Sequence, residues 1–270
     1  MVDLDIAYRV MAAPDPLDPA SALFAPPSPT PNPTPRRRKV LGIHRPWFDR
    51  ADRPVRDACY AALDHLEQHH GYSTIDIALP LLPDGQRAHA LTIMTLVLSG
   101  CDLATLAALT PANRILLSVA AQTRSLDFLQ AQRLRHLLMQ HLAHLYDTHP
   151  GLLIVSPTTP NAGWPFDGAK DLAYGVSDGN MQLRNMEYAW LANSTGCPAL
   201  SAPVGFLEPR KGYGEGRVPV GLMAMAEWGW EEECVGFGYA VEGWLHGGLE
   251  GGRVRAGGWV DVLGGLGVGG

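Results

Sequence analysis

The feature that most constrains this chain is a pair of short apolar runs joined by one amphipathic helix. Val40-Leu41-Gly42-Ile43 is too short for a buried helix and reads as a strand. Pro54 then stands where a helix opens, and Val55, Ala58, Ala62, Leu63 and Leu66 recur at three-and-four spacing until about His70. Gly71 occupies the place of a C-terminal cap, and Ile75 to Leu79 supplies the next strand. Two strands joined through such a helix predict a parallel pair with the helix packed on one face.

The alternation continues along the chain. Helical stretches are expected over about 86–108 and about 124–148, the second carrying Leu126, Leu129, Leu134, Leu137, Leu138, Leu142 and Leu145. Leu152 to Val155 is a short buried strand, stopped at once by Ser156-Pro157-Thr158-Thr159-Pro160. A helix near 181–194, strands at Ala199–Val204 and Val218–Ala226, and a last helix from Glu231 to Leu245 complete the pattern. Strands alternating with helices give an α/β class, a mixed β-sheet covered by helices.

The flanks differ in composition. Residues 1–13 hold a short helix with Val2, Ile6 and Val10 on one face. Residues 14–38 are a Pro-rich linker, with nine prolines between Pro14 and Pro35. The main domain spans 39–245. Residues 246–270 contain eleven glycines, a composition too poor in apolar side chains to offset the entropy of ordering, so a flexible tail is expected.

With 270 residues and 46% hydrophobic content the chain has enough apolar material for a sizeable core. A formal charge of −6 argues against nucleic-acid or membrane-surface binding, and the basic run Arg36 to Lys39 reads as a solvated entry into the strand that follows. The first residues show no basic, apolar and small-residue succession of a signal peptide. Ala90 to Leu109 is apolar but carries Asp102, which costs about 2.5–3.5 kcal/mol at mid-membrane, so a buried helix is expected there. These features predict a soluble, cytoplasmic protein. Cys59, Cys101, Cys197 and Cys234 are scattered and read as free thiols.

Several chemistries lack their sequence signature. No Gly-x-Ser-x-Gly elbow, Walker loop or strand-borne Gly-x-Gly-x-x-Gly occurs, and Gly212 to Gly216 reads as a turn in a charged loop. His65 and His69, and His141 and His144, share helix faces, but neither pair has a third ligand in its spacing, so no metal or cofactor is expected. Glu231, Glu232 and Glu233 at a helix start suit the helix dipole better than acid–base chemistry.

The most specific text runs from Leu153 to Leu245. It contains Ser156-Pro157-Thr158-Thr159-Pro160, then Asn193-Ser-Thr-Gly196-Cys-Pro198-Ala to Pro203-Val-Gly205, then Pro219-Val-Gly221-Leu222 and the acidic last helix. Upstream, Ala7 to Met11, Pro14 to Ser21 and Lys39 to Ile43 followed by Trp47-Phe48-Asp49 fall in the same order. Together these resemble the C-terminal portion of the amidase signature family, its fungal-type amidases in particular. The resemblance implies a partial amidase-signature fold and, in the intact family, hydrolysis of carboxylic amide C–N bonds.

It also implies what the activity needs. The family uses a lysine and two serines in a Gly-Ser-Ser-Gly-type loop, yet the 270 residues hold no Ser-Ser dipeptide, and Lys39, Lys170 and Lys211 all lie in polar settings. No catalytic residue is assigned, and the chain alone is expected to be inactive. By the same resemblance Thr158, Thr159, Asn185 and Met186 are expected to line a substrate pocket. A small amide and a complementary N-terminal amidase half are the expected partners. A non-catalytic small-molecule-binding subunit and one half of a split amidase are the alternatives.

Overall fold

The computed structural model describes residues 1–19, 21, 38–163, 168, 171, 173, 178–209, 216–249 and 252. Most of the Pro-rich linker and of the Gly-rich tail, together with Lys170, Lys211 and the Gly212 turn, lie outside them.

Five strands form one sheet: β1 (Val40–Ile43), β2 (Ser73–Asp76), β3 (Leu152–Pro157), β4 (Ala199–Leu207) and β5 (Val218–Met225), in the order β2-β1-β3-β5-β4. β1 pairs in parallel with both β2 and β3, whereas β5 runs antiparallel to both β3 and β4. The sheet is mixed, as the pattern predicts. β1 and β3 are buried at every position, the signature of strands covered on both faces.

The first β-α-β unit forms as expected. α3 (Arg53–His70) starts with proline in its first turn and ends at Gly71, whose φ of 69° is left-handed and needs no Cβ. Val55, Cys59, Ala62, Leu63 and Leu66 are its buried residues, and the helix lies against β3, β4 and β5. β2 starts two residues earlier than the apolar run suggests. Ile77 and Leu79 are buried as the chain leaves the sheet, so the apolar signal marks the exit of the strand and not its paired part.

Two long helical runs are broken in the structure. The stretch expected over 86–108 is α4 (Leu82–Ser99) and α5 (Leu103–Ala108), separated where Gly100 ends one helix and Asp102 starts the other. The Asp102 carboxylate accepts from the Thr105 backbone amide at 2.7 Å, a side-chain N-cap. α6 (Pro111–Ala120), with Pro111 at its start, was not expected; α7 (Ser125–Thr148) was. Likewise 181–194 divides into α8 (Gly179–Asn185) and α9 (Trp190–Thr195), because Glu187 and Tyr188 turn inward to meet Trp47. α2 (Arg45–Phe48) is a single turn after β1, and α10 (Glu231–Gly243) runs into a π-turn, Trp244–Gly248.

α1 (Val2–Met11) departs from the apolar-face rule. Val2, Ile6 and Val10 are exposed, while Asp5 is buried and, with Glu232, holds the Arg9 guanidinium at 2.7–3.1 Å. Ion pairs to α10, not the apolar stripe, set how this helix sits. α7 shows the same split: Leu138, Leu142 and Leu145 are buried, whereas Leu126, Leu129 and Leu137 point outward.

α4, α7 and α9 pack together through a close approach at Gly85. A Cβ there would lie 2.5 Å from the rigid Trp190 ring and 2.8 Å from Leu138. Alanine ordinarily stabilises a helix interior by about 1 kcal/mol over glycine. Here overpacking costs about 1–3 kcal/mol and wins. Gly85→Ala is therefore expected to lower the urea unfolding midpoint, and a raised midpoint would refute the close approach.

Candidate functional site

Open α/β sheets place ligands at the C-terminal ends of their parallel strands. The loops leaving β1 and β3 meet at that edge. After β3, Thr158 donates its backbone amide to Gly221 of β5 at 2.9 Å, and its hydroxyl lies 2.5 Å from that of Ser201 on β4. The two hydroxyls meet across β5 only because Gly221 has no side chain. A Cβ there would stand 2.5 Å from Thr158 Oγ1 and 2.9 Å from Ser201 Oγ. The glycine of Pro219-Val-Gly221-Leu222 thus has a steric reason.

Thr159 turns the other way, its hydroxyl donating to the Asn161 carbonyl at 2.7 Å. Pro160 accepts from the Asp52 amide at 2.7 Å, which ties the loop to the start of α3. The Asp52 carboxylate in turn receives the Arg184 guanidinium at 2.6 Å, which anchors the end of α8. Asp52 is therefore a node that holds the 158–161 loop and the 184–187 turn to one helix start. Asn185 follows directly, half-buried, and Met186 is exposed.

Two side-chain carboxamides flank this node without satisfied hydrogen bonding. Asn161 is only 5% exposed, yet neither its Oδ1 nor its Nδ2 has a hydrogen-bond partner among the described residues. Asn185 Oδ1 is buried and unpartnered too. Beyond them Glu187, buried, accepts from the Trp47 indole N–H at 3.1 Å and sits 3.3 Å from Arg50. Tyr188 donates to the carbonyls of Trp47 and Phe48 at 3.1 Å each. These contacts fix the turn against α2.

The structure thus brings Thr158, Thr159 and Asn185 to a shared loop cluster with different surroundings, and Met186 to its outer side. Asn161, Ser201, Gly221 and Asp52 belong to the same cluster but carry weak sequence signals. Asn161 follows the Pro-Thr-Thr-Pro run directly, and Ser201 alternates with buried Leu200 and Ala202 on an edge strand, which are the cues a sequence offers. Asn193 is exposed, and the end of α9 is closed by Gly196, left-handed at φ 76°, donating its amide to Ala192.

No described group has the state of an activated nucleophile. Burial pushes the Cys59 and Cys234 thiols up to about 12 and Cys197 to about 11, so all three stay protonated. The hydroxyl partner of Ser201 is another neutral hydroxyl and is no base. The rings of His65 and His69 lie 4.4 Å apart, with His70 and Trp244 beside His65. Among the described residues no group of three or more potential ligands is placed to hold a metal ion. Nor, among them, is any helix long and apolar enough to cross a membrane.

A mixed sheet with polar loops gathered at the ends of its parallel strands is an α/β frame. Comparison with known proteins makes the assignment specific. No family model matches the chain. Fatty acid amide hydrolase of Arabidopsis thaliana is 28% identical over 207 residues, 75% of this chain and 32% of that protein. An amidase of Pseudomonas putida is 27% identical over 229 residues, 76% of this chain and 44% of that protein. A bacterial aryl acylamidase of the amidase signature family superposes with a TM-score of 0.59 at 17% identity, over 76% of this chain and 43% of that one, which shows a shared fold. The chain is thus similar to amide-hydrolysing proteins over about three quarters of its length and shares the fold of an amidase signature enzyme. It spans about a third to under a half of the length of these curated relatives.

Glu187 offers a test of the site's electrostatics. Burial raises its carboxyl above the ordinary 4.5, with Arg50 and the Trp47 indole opposing the shift. The folded state then binds this proton more readily than the unfolded state, so the charged group destabilises the fold above its raised pKa and is relieved as pH falls. Glu187→Gln is expected to unfold later than the parent at pH 7, with the gain shrinking toward pH 4.5. A gain that grows on acidification would refute the assignment.

Proposed function

We propose that this chain forms the C-terminal wall of an amide-binding site in an amidase signature hydrolase, and that the serine nucleophile and its lysine come from a complementary N-terminal half. Kinship to amide-hydrolysing proteins supports the reaction class. The observation that carries the division of labour is the chemistry of the loop cluster. It offers hydroxyls, carboxamides and backbone groups to a ligand, while the thiols of Cys59, Cys197 and Cys234 are held protonated and the Ser201 hydroxyl meets the neutral hydroxyl of Thr158. Such groups bind and orient; they do not attack a carbonyl. In this reading Thr158, Thr159 and Asn185 line the pocket, Met186 supplies an apolar rim, and no metal or cofactor takes part.

The surface supports a complementary half. β4 is at the edge of the sheet, and an open cavity of about 580 Å³ lies between α1, the start of β4 and α10, lined by Leu4, Tyr8, Met11, Leu200 and Ser201. Leu4 and Met11 of α1, which line this cavity, are both exposed. An unpaired strand edge beside apolar side chains is a surface that another segment covers.

The test is complementation. The 270-residue chain is expected to hydrolyse hexanamide at the buffer rate, and addition of a separately made N-terminal half bearing a Gly-Ser-Ser-Gly loop is expected to restore turnover. Hydrolysis by this chain alone above buffer would defeat the proposal, as would a mixture that forms a stable complex and stays inactive.

A further inference from the structure

Three imidazoles gather at the C-terminal end of α3. The His65 ring lies 4.4 Å from that of His69, 5.4 Å from that of His70 and 5.1 Å from the Trp244 ring, centroid to centroid. The π-turn Trp244–Gly248 closes directly onto them. A Cβ on Gly243 would lie 3.1 Å from both Cε1 and Nε2 of His70. One on Gly248 would lie 3.0 Å from His65 Nδ1 and collide with the Trp244 ring. Glycine at both positions is what lets the turn settle on the rings.

The same indole reaches the sheet. The register of β4 against β5 breaks between Pro203 and Gly205, so Val204 is skipped in the pairing. Its carbonyl accepts the Trp244 indole N–H at 2.8 Å. Trp244 therefore joins the imidazole cluster to a bulge on an edge strand, where a backbone acceptor would otherwise face solvent.

The charges around the cluster favour its neutral form. Lys39, just before β1, donates its ammonium to the His70 carbonyl at 3.1 Å. On α3 itself, Asp64 is exposed and Glu67 accepts the Thr74 amide. At the end of α10 Glu242 holds the Met1 ammonium at 3.0 Å, the π-turn carries His246, and β4 has no ionisable side chain. Among the described residues no carboxylate is paired with any of the three rings. Burial, then His69 and His70, hold the His65 imidazole below the ordinary 6.5; burial, then Lys39 and His69, do the same to His70. The seated rings thus take protons less readily than solvated ones. Their contribution to holding the turn is complete above the ordinary value and is lost as pH falls below it.

We propose that His65, His69 and His70 form an acid-operated latch: neutral, they seat the Trp244 indole over Val204 at the edge of β4, and protonated they repel one another and release it. One proton is tolerated, because a helix C-terminus and an indole face both attract a cation. A second is repelled across 4.4–5.4 Å by the first. Leu245, only 4% exposed, keeps the turn attached, so the movement is confined to the indole and Gly248 and uncovers the Val204 carbonyl. The latch is independent of the amide-site reading.

The experiment titrates the 270-residue chain from pH 8 to pH 5 and reads Trp244 as the difference in tryptophan emission between the parent and Trp244→Phe. The Trp244 emission is expected to shift to the red and to become more open to acrylamide, with a midpoint below 6.5 and unchanged far-ultraviolet circular dichroism. The open-to-closed ratio is expected to change more than about tenfold per pH unit, because more than one proton is taken up. His65→Gln, polar but unable to charge, is expected to keep the pH 8 emission down to pH 5. Should that variant fail to seat the indole at pH 8, the pair His69→Gln with His70→Gln, which leaves the His65–Trp244 contact in place, carries the test.

An imidazolium quenches a neighbouring indole without moving it. A loss of intensity with no red shift would therefore show that the cluster titrates with Trp244 still seated, and would overturn the latch. A red shift that coincides with loss of circular dichroism would reveal acid unfolding of the whole chain and overturn it too. So would a red shift that persists unchanged in the histidine variants.

Discussion

Strand β3 holds the molecule together, and the constraint it obeys is burial on both faces at every residue from Leu152 to Pro157. On one edge it pairs in parallel with β1, on the other antiparallel with β5, so it joins the two halves of the mixed sheet. A strand so enclosed has one acceptable register, because a one-residue slip would invert every side chain and strand the β5 contacts. The fixed register is what delivers Thr158 over Gly221 and Pro160 to Asp52. The site inherits its precision from a strand that does no chemistry.

Polar contacts then refine what packing positions. Asp52 links α3, the loop after β3 and the end of α8 through two hydrogen bonds, and Glu187 and Tyr188 lock the following turn to α2. Locally unfavourable features lie next to these locks: a carboxylate shifted upward by burial, the carboxamide of Asn161 and the Oδ1 of Asn185, which have no partner among the described residues. Proteins concentrate such violations at functional sites, and the apolar cluster that runs from Val40 to Val241 surrounds and supports them.

The outer faces follow another rule. Ile93, Leu96 and Val97 on α4, Ile115 and Val119 on α6, and Leu126 and Leu129 on α7 are exposed, as is the apolar stripe of α1. Helical periodicity reports that a face is apolar, but not what lies against it. On α1 the competing force is visible: the Arg9 guanidinium, held between Asp5 and Glu232, turns the ion-paired side inward. The apolar side is left for contact with something else, as the complementary half proposed here would provide.

The sequence alone determined the class, the parallel β-α-β start, the cap at Gly71 and the loop that ends β3, since each depends on local signals: spacing, proline and left-handed glycine. It also carried the kinship to the amidase signature proteins, because ordered motifs survive where overall identity is below 30%. Helix breaks at Gly100 and at Met186 to Ala189 are not legible in the sequence, although Asp102 is an N-cap residue, because apolar periodicity runs on through them. What only the tertiary structure decided is which polar side chains go unsatisfied. The orphaned state of Asn161 depends on what surrounds it where segments distant in the chain meet, and no local pattern encodes a missing partner.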